Sequence, residues 1–207
     1  MKAVVITNEA LKAELLAQNE SAAKDLVWQS APAPVVGADY YVDLLFEPSP
    51  ARIRQLNGLA PATIIVNAVA TPLQELPGHF IRINGWPTFL KREWVEAVAN
   101  DPQAKKQATG FFDVIGKKPA WVPDQPGLVA ARVVCMLINE AYFALEEQVS
   151  TKEEINTAMK LGTNYPYGPF EWAEQVGLEK ICGLLEKMSL TDPRYAPAPW
   201  LKKEASA

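Results

Sequence analysis

The sequence predicts an α/β domain over residues 1–123 followed by an all-α domain over residues 124–207. Up to Val122, short β-branched runs such as KAVVIT and ATIIVNAV alternate with helix-patterned segments. Downstream, only helices and proline-rich turns follow. The change falls at Asp124–Glu147, DQPGLVAARVVCMLINEAYFALEE. An acidic residue and a first-turn proline open this stretch, and both suit a helix start, where free N–H groups favour negative charge and proline lacks one. From Leu128 to Ile138 the only charge is Arg132, so this helix is expected to be wrapped by neighbours as the hub of a helical core.

Composition narrows the partners. With 207 residues, 49% of them hydrophobic and 21% charged, the chain can bury a real core. A net charge of −4 without a basic stripe argues against nucleic acid or an anionic membrane as partner. No apolar run reaches the ~18 residues of a membrane span, and MKAVVITNEA turns polar too early for a signal peptide, so a cytoplasmic location is expected. Cys135 and Cys182 lie in apolar helical patterns without a CxxC or a histidine beside them, which reads as buried thiols with no metal or redox role.

In order, Lys2–Thr7 is a β-type run and Glu9–Gln18 a helix with Leu11, Leu15 and Leu16 on one side. Strands are expected at Asp25–Gln29, Tyr40–Phe46, Ala62–Val69, His79–Trp86 and Pro119–Val122. Helices are expected at Arg52–Leu59 and Gln103–Ile115, the latter ended by Gly116. Downstream, Ser150 and Glu153 read as a capping box, with Gly162 closing the helix it starts. Pro169 opens a helix carrying Phe170, Trp172, Ala173 and Val176, and Gly177 ends it. Leu178–Met188 is another, with Ile181, Leu184 and Leu185 inward, and the tail DPRYAPAPW is expected to be non-helical. Tyr165, Tyr167, Phe170 and Trp172 read as core or subunit interface.

A strand followed by a helix at the N-terminus invites comparison with dinucleotide-binding units, whose turn carries GxGxxG. Here the turn is Thr7-Asn8-Glu9. None of the eleven glycines is so arranged, and Glu9 places negative charge where phosphates would lie.

The run from Asp124 to Ile181 resembles the C-terminal domain of 3-hydroxyacyl-CoA dehydrogenases. It shares with them a D-x-PGF-x-x-NR opening, NEA, the ID-x-AMK-x-G-x-x-x-P-x-GPFE stretch and VGLD. Upstream the likeness is weaker. ADYYVDLLFE is similar to the family's strand leading to an acidic residue, IIVNAVATPL to SNTSSL, HFIRINGWPTFLKREWVEAV to RF-x-G-x-HFFNP…LVEV, and IGKKPAWVPDQPG to LGK-x-P-x-x-V-x-D-x-PG. The resemblance implies a shortened Rossmann-like parallel sheet domain followed by the family's helical domain, an NAD-dependent oxidation in fatty acid metabolism, and a homodimer built through the helical half.

Carried over position by position, the family's active site is incomplete. Its catalytic histidine falls on Asn84 when the chain is aligned through Glu96, and an amide cannot serve as a base at neutral pH. The glutamate that orients the histidine falls on Glu96, whose plainer reading is a rim carboxylate satisfied by a neighbour. The asparagine of the NR pair falls on Ala131, leaving Arg132, which is expected to pair with a carboxylate such as Glu140. The serine of SNTSSL falls among Ala70, Thr71 and Pro72. Thr71, Ala131 and Arg132 are therefore the substrate-pocket candidates, and no cofactor-binding or metal residue is named. His79, the only histidine, stands at the variable place before Phe80 rather than at the catalytic one. The expectation is a degenerate family member that binds no cofactor and is retained for an acyl-CoA-type small molecule or for assembly. The alternative is an active NAD-dependent enzyme with a divergent cofactor site.

Overall fold

A computed structural model describes residues 1–207 and divides them into two compact units, Met1–Leu128 and Val129–Ala207. The border therefore lies beyond the expected 123/124, because Asp124–Gly127 is bonded into the first unit. Asp124 accepts the Leu73 N–H and Gly127 donates to the Val69 carbonyl.

The first unit carries strands β1 (Ala3–Ile6), β2 (Leu26–Gln29), β3 (Tyr40–Asp43), β4 (Thr63–Asn67), β5 (Ile81–Ile83), β6 (Trp94–Val98) and β7 (Lys118–Trp121). They form one sheet in the order β2-β1-β3-β4-β5-β6-β7. All pairs are parallel except β5–β6. The exception follows from the short connection over residues 84–93, since a parallel crossover needs a dozen or more residues and usually a helix.

Helices α1 (Glu9–Leu16), α2 (Pro50–Asn57) and α3 (Pro102–Val114) have legible starts. Asn8, Ser49 and Asp101 each accept a first-turn N–H through the side chain, and proline opens α2 and α3. Strand alternation sends Val5, Val42, Ile65, Ile81 and Ala97 to one face, where they pack with Leu11 and Leu15 of α1 and Phe111 and Phe112 of α3. On the other face Asp43, Val66, Arg82 and Val98 sit opposite one another across β3 to β6. Arg82 is wholly buried, so the half-buried strand expected at His79–Trp86 has no solvent side at this residue.

The second unit holds α4 (Ala130–Glu146), α5 (Lys152–Thr163), α6 (Pro169–Val176), α7 (Leu178–Ser189) and α8 (Pro199–Ala205). Helix α4 touches α6, α7 and α8, so it is the hub expected. It starts six residues later than Asp124, however, after Gly127 and Leu128 at φ 80° and 49°, and Val133 stays 52% exposed, so it is not wrapped all round. The capping box at α5 lies one residue on from Ser150 and Glu153, at Thr151 and Glu154, because Thr151 has the extended backbone the cap needs. Gly162 is inside α5, and Asn164 ends it in the left-handed conformation. The tail is partly helical. Pro193–Tyr195 makes a 3₁₀ turn and Pro199 opens α8, because proline is tolerated in a first turn. No helix is long and apolar enough to cross a membrane.

Candidate functional site

The antiparallel β5–β6 pair brings Asn84 and Glu96 together. Asn84 donates its backbone N–H to the Glu96 carbonyl at 3.0 Å and its side-chain Nδ2 to the Glu96 Oε2 at 3.0 Å. The Asn84 Oδ1 accepts the Trp86 N–H at 3.4 Å, and the residue is buried. Both ends of the amide are thus engaged. A carboxamide in this position can orient a group or donate a hydrogen bond, but it has no lone pair basic enough to take a proton.

Beside the pair, the Arg82 guanidinium gathers two segments that have no regular structure. It donates to Asp124 Oδ1 at 2.6 Å, to the Val69 carbonyl at 2.8 Å and to the Gln125 carbonyl at 3.1 Å. Burial pulls Arg82 below its ordinary pKa, and Asp124 opposes that pull. Thr71, also buried, lies between Val69 and Leu73, whose backbones Arg82 and Asp124 respectively hold. Sequence reasoning missed Arg82 and Asp124 as partners. The available signal was an arginine within the apolar run of HFIRIN, where a charge is buried only if it is paired.

A second buried pair closes the end of β3. Arg52 Nε and Nη2 donate to Asp43 at 2.7 and 2.8 Å. Burial lifts the Asp43 carboxyl above its ordinary pKa against the opposing Arg52 charge. Asn67, at the end of β4, donates to the Leu44 carbonyl at 3.1 Å and accepts the Gly85 N–H at 2.9 Å. A side chain at Gly85 would collide with Asn67, since its Cβ would lie 2.8 Å from the Asn67 Cγ. The ends of β3, β4 and β5 are therefore stitched to one another.

The β1–α1 turn does not fit a dinucleotide. The chain order around β1 reverses between β1 and β3, the place where open α/β sheets bind ligands. Yet Asn8 already caps the Leu11 N–H at 2.9 Å, no glycine lets a pyrophosphate approach, and the Glu9 side chain projects into solvent in the first turn.

Ala131 and Arg132 belong to the helical unit. Ala131 is buried, and Arg132 donates its Nε to the Tyr195 hydroxyl at 3.0 Å while lying over the ring at 4.7 Å. Tyr195 is thus a partner that the geometry gives Arg132, where Glu140 was the expectation. Burial works to raise the Tyr195 phenol, but the bonds from Arg132 and Arg194 bring it below its ordinary value. A cavity of about 530 Å³ elsewhere in this unit is lined by Phe170, Val176, Leu178 and Lys152. Within it Tyr142 donates to Glu204 at 2.7 Å, and Lys152 contacts both Glu204 oxygens at 2.8 Å.

Residues 127–207 match the family described as 3-hydroxyacyl-CoA dehydrogenase, C-terminal domain. The 3-hydroxyadipyl-CoA dehydrogenase of Escherichia coli (strain K12) is 39% identical over 111 residues, covering 53% of this chain and 23% of the relative. The probable 3-hydroxybutyryl-CoA dehydrogenase of Bacillus subtilis (strain 168) is 32% identical over 149 residues, covering 71% and 51%. The chain thus spans about half the length of the second relative and less of the first. A crystal structure of (S)-3-hydroxybutyryl-CoA dehydrogenase from Ralstonia eutropha superposes with a TM-score of 0.74 at 18% identity, over 99% of this chain and 93% of the other, which shows a shared fold. With the sheet, the helical unit and the motifs from Asp124 to Ile181 all in agreement, the chain belongs to the 3-hydroxyacyl-CoA dehydrogenase family.

Proposed function

We propose that this chain is a catalytically degenerate 3-hydroxyacyl-CoA dehydrogenase, a cytoplasmic homodimer retained to bind an acyl-CoA-type molecule or to assemble. The observation that carries this reading is the Asn84–Glu96 bond, in which an amide stands where the family pattern puts the base. The capped, glycine-free β1–α1 turn supports it independently.

General acid–base catalysis contributes ~10²–10⁴ in rate, and positioning of the hydride acceptor contributes an effective molarity on the order of 10⁵ M or more. Losing both leaves nothing for a single substitution to repair. Purified protein should not turn over acetoacetyl-CoA with NADH, and neither should the Asn84→His, Ala131→Asn double variant. In thermal-shift titrations, acetoacetyl-CoA should raise the melting temperature and NADH should not. The rival reading, an active NAD-dependent enzyme with a divergent cofactor site, draws on Glu96 and on the chain reversal between β1 and β3. It predicts steady turnover and an NADH shift, and either result overturns the degenerate reading.

Support for the dimer comes from α5. It carries Ile155, Ala158, Met159 and Leu161 but buries no residue, and Leu161 is 83% exposed. A helix with apolar residues and no buried face needs a partner surface. Light scattering that finds only monomer at tens of micromolar protein would reject it.

A further inference from the structure

Residues 84–93, which begin at Asn84 and join β5 to β6, contain no helix or strand. Side chains from elsewhere hold their backbone. Glu14 of α1 accepts the Thr88 N–H on both carboxylate oxygens at 2.9 Å, which fixes Thr88 at a left-handed φ of 78°. Gln18 donates to the Lys91 carbonyl at 2.8 Å. Lys117, just before β7, donates its Nζ to the Leu90 carbonyl and, at 3.0 Å, to the Arg92 carbonyl. Lys117 is 2% exposed and Glu14 9%. Trp86, Phe89 and Leu90 pack inward along the same stretch.

The donor count at Lys117 matters. An ammonium has three N–H groups and a neutral amine has two, and the two carbonyls use two. We propose that Lys117 and Glu14 form a protonation-sensitive latch on residues 84–93, held shut most firmly when Lys117 is neutral and released more readily when it is an ammonium.

The charged groups facing Lys117 are few. Glu14 lies across from it on α1, and the half-exposed Lys91 reaches Glu14 at 4.0 Å from the connection. Lys118 and Glu93 pair with each other at 2.6 Å on the surface. Burial pushes Lys117 down to about 8, with Glu14 opposing. An opened connection lets Lys117 return to its solvated value of about 10.4, so the open form binds a proton more tightly than the latched form. The latched form therefore gains on the open one as pH rises from about 8 toward 10.4.

Trypsin reads the latch directly, because Arg92 lies within the connection. Its cleavage rate should be followed from pH 7.5 to 9.5 and normalised to an unstructured arginine peptide in the same tube. Where opening and closing are fast, this rate tracks the open population. For the native protein it should fall roughly tenfold or more across that range, while cleavage after Arg54 of α2 shows no such slope. In Lys117→Met the slope should vanish. In Lys117→Arg, charged throughout, cleavage should be fast and flat. A flat native profile, or the native slope persisting in either variant, overturns the latch. Should Lys117→Met fail to fold, the arginine variant and a direct ¹⁵N titration of the Lys117 amine in native protein still decide. A midpoint near 10.4 for that amine overturns the proposal.

Discussion

The α/β unit and the helical unit secure their backbones by different means. In the α/β unit, charged and amide side chains reach from one element to the main chain of another. Asn67, Arg82, Asp124, Glu14 and Lys117 all do so at buried or half-buried positions. In the helical unit, main-chain groups are mostly satisfied within the helices, and the interior is filled by Ile181, Leu184, Leu185 and Met188. Its comparable staples are fewer: Asn139 bonds both Ala196 and Ala198 and so pins the tail, Asn156 of α5 accepts the Phe170 N–H, and Glu146 of α4 accepts the Trp200 N–H. Strands of three to five residues leave long connections whose N–H and C=O groups need partners, whereas a helix supplies its own. Sites of chemical interest gather where such staples gather.

The contrast can be broken from either side. The largest effect should come from Arg82→Met, which leaves Asp124 without its cationic partner and should cost about 3–4 kcal/mol, since removing one member of a largely buried pair strands the charge of the other. Amide exchange should show the loss in β4 and β5 with the helical unit unmoved. A cost under about 1 kcal/mol would mean that the staples merely follow the fold. Next comes Leu184→Ala in the fully buried face of α7, expected to cost about 2–3 kcal/mol by cavity formation and to be confined to the helical unit. If it destabilised the α/β unit equally, the two would not be separate cooperative bodies. The smallest is Thr151→Ala, about 1 kcal/mol from the lost cap, measured by urea unfolding. A null result there would show that α5 draws its stability from a partner surface rather than from its own cap.

Much of this was legible. The β-branched runs locate every strand but β6 to within a few residues, and the helix starts expected in the α/β unit fall within two residues of those that Asn8, Ser49 and Asp101 cap. The resembled motif put Asn84 and Glu96 at the places of the family's histidine and glutamate, but that the amide itself is the neighbour satisfying Glu96 is visible only in the structure. What failed was long-range. Asp124 looks like a helix start because acidic residues favour that place, but a buried arginine claimed it. The Asp43–Arg52 pair and the Lys117 latch leave no periodic trace, because each joins residues whose proximity only the folded sheet creates. Pro199 was read as a helix breaker when, in a first turn, it is a starter.

The reversal of β6 also sets an order of assembly. The Asn84–Glu96 contact closes a loop of 12 residues, while Arg82–Asp124 closes one of 42. Loop-closure entropy makes the longer closure costlier by roughly 1 kcal/mol. The pair can therefore form in a nascent hairpin before the residues that brace it arrive, whereas a parallel β6 would have delayed it until a long crossover had folded.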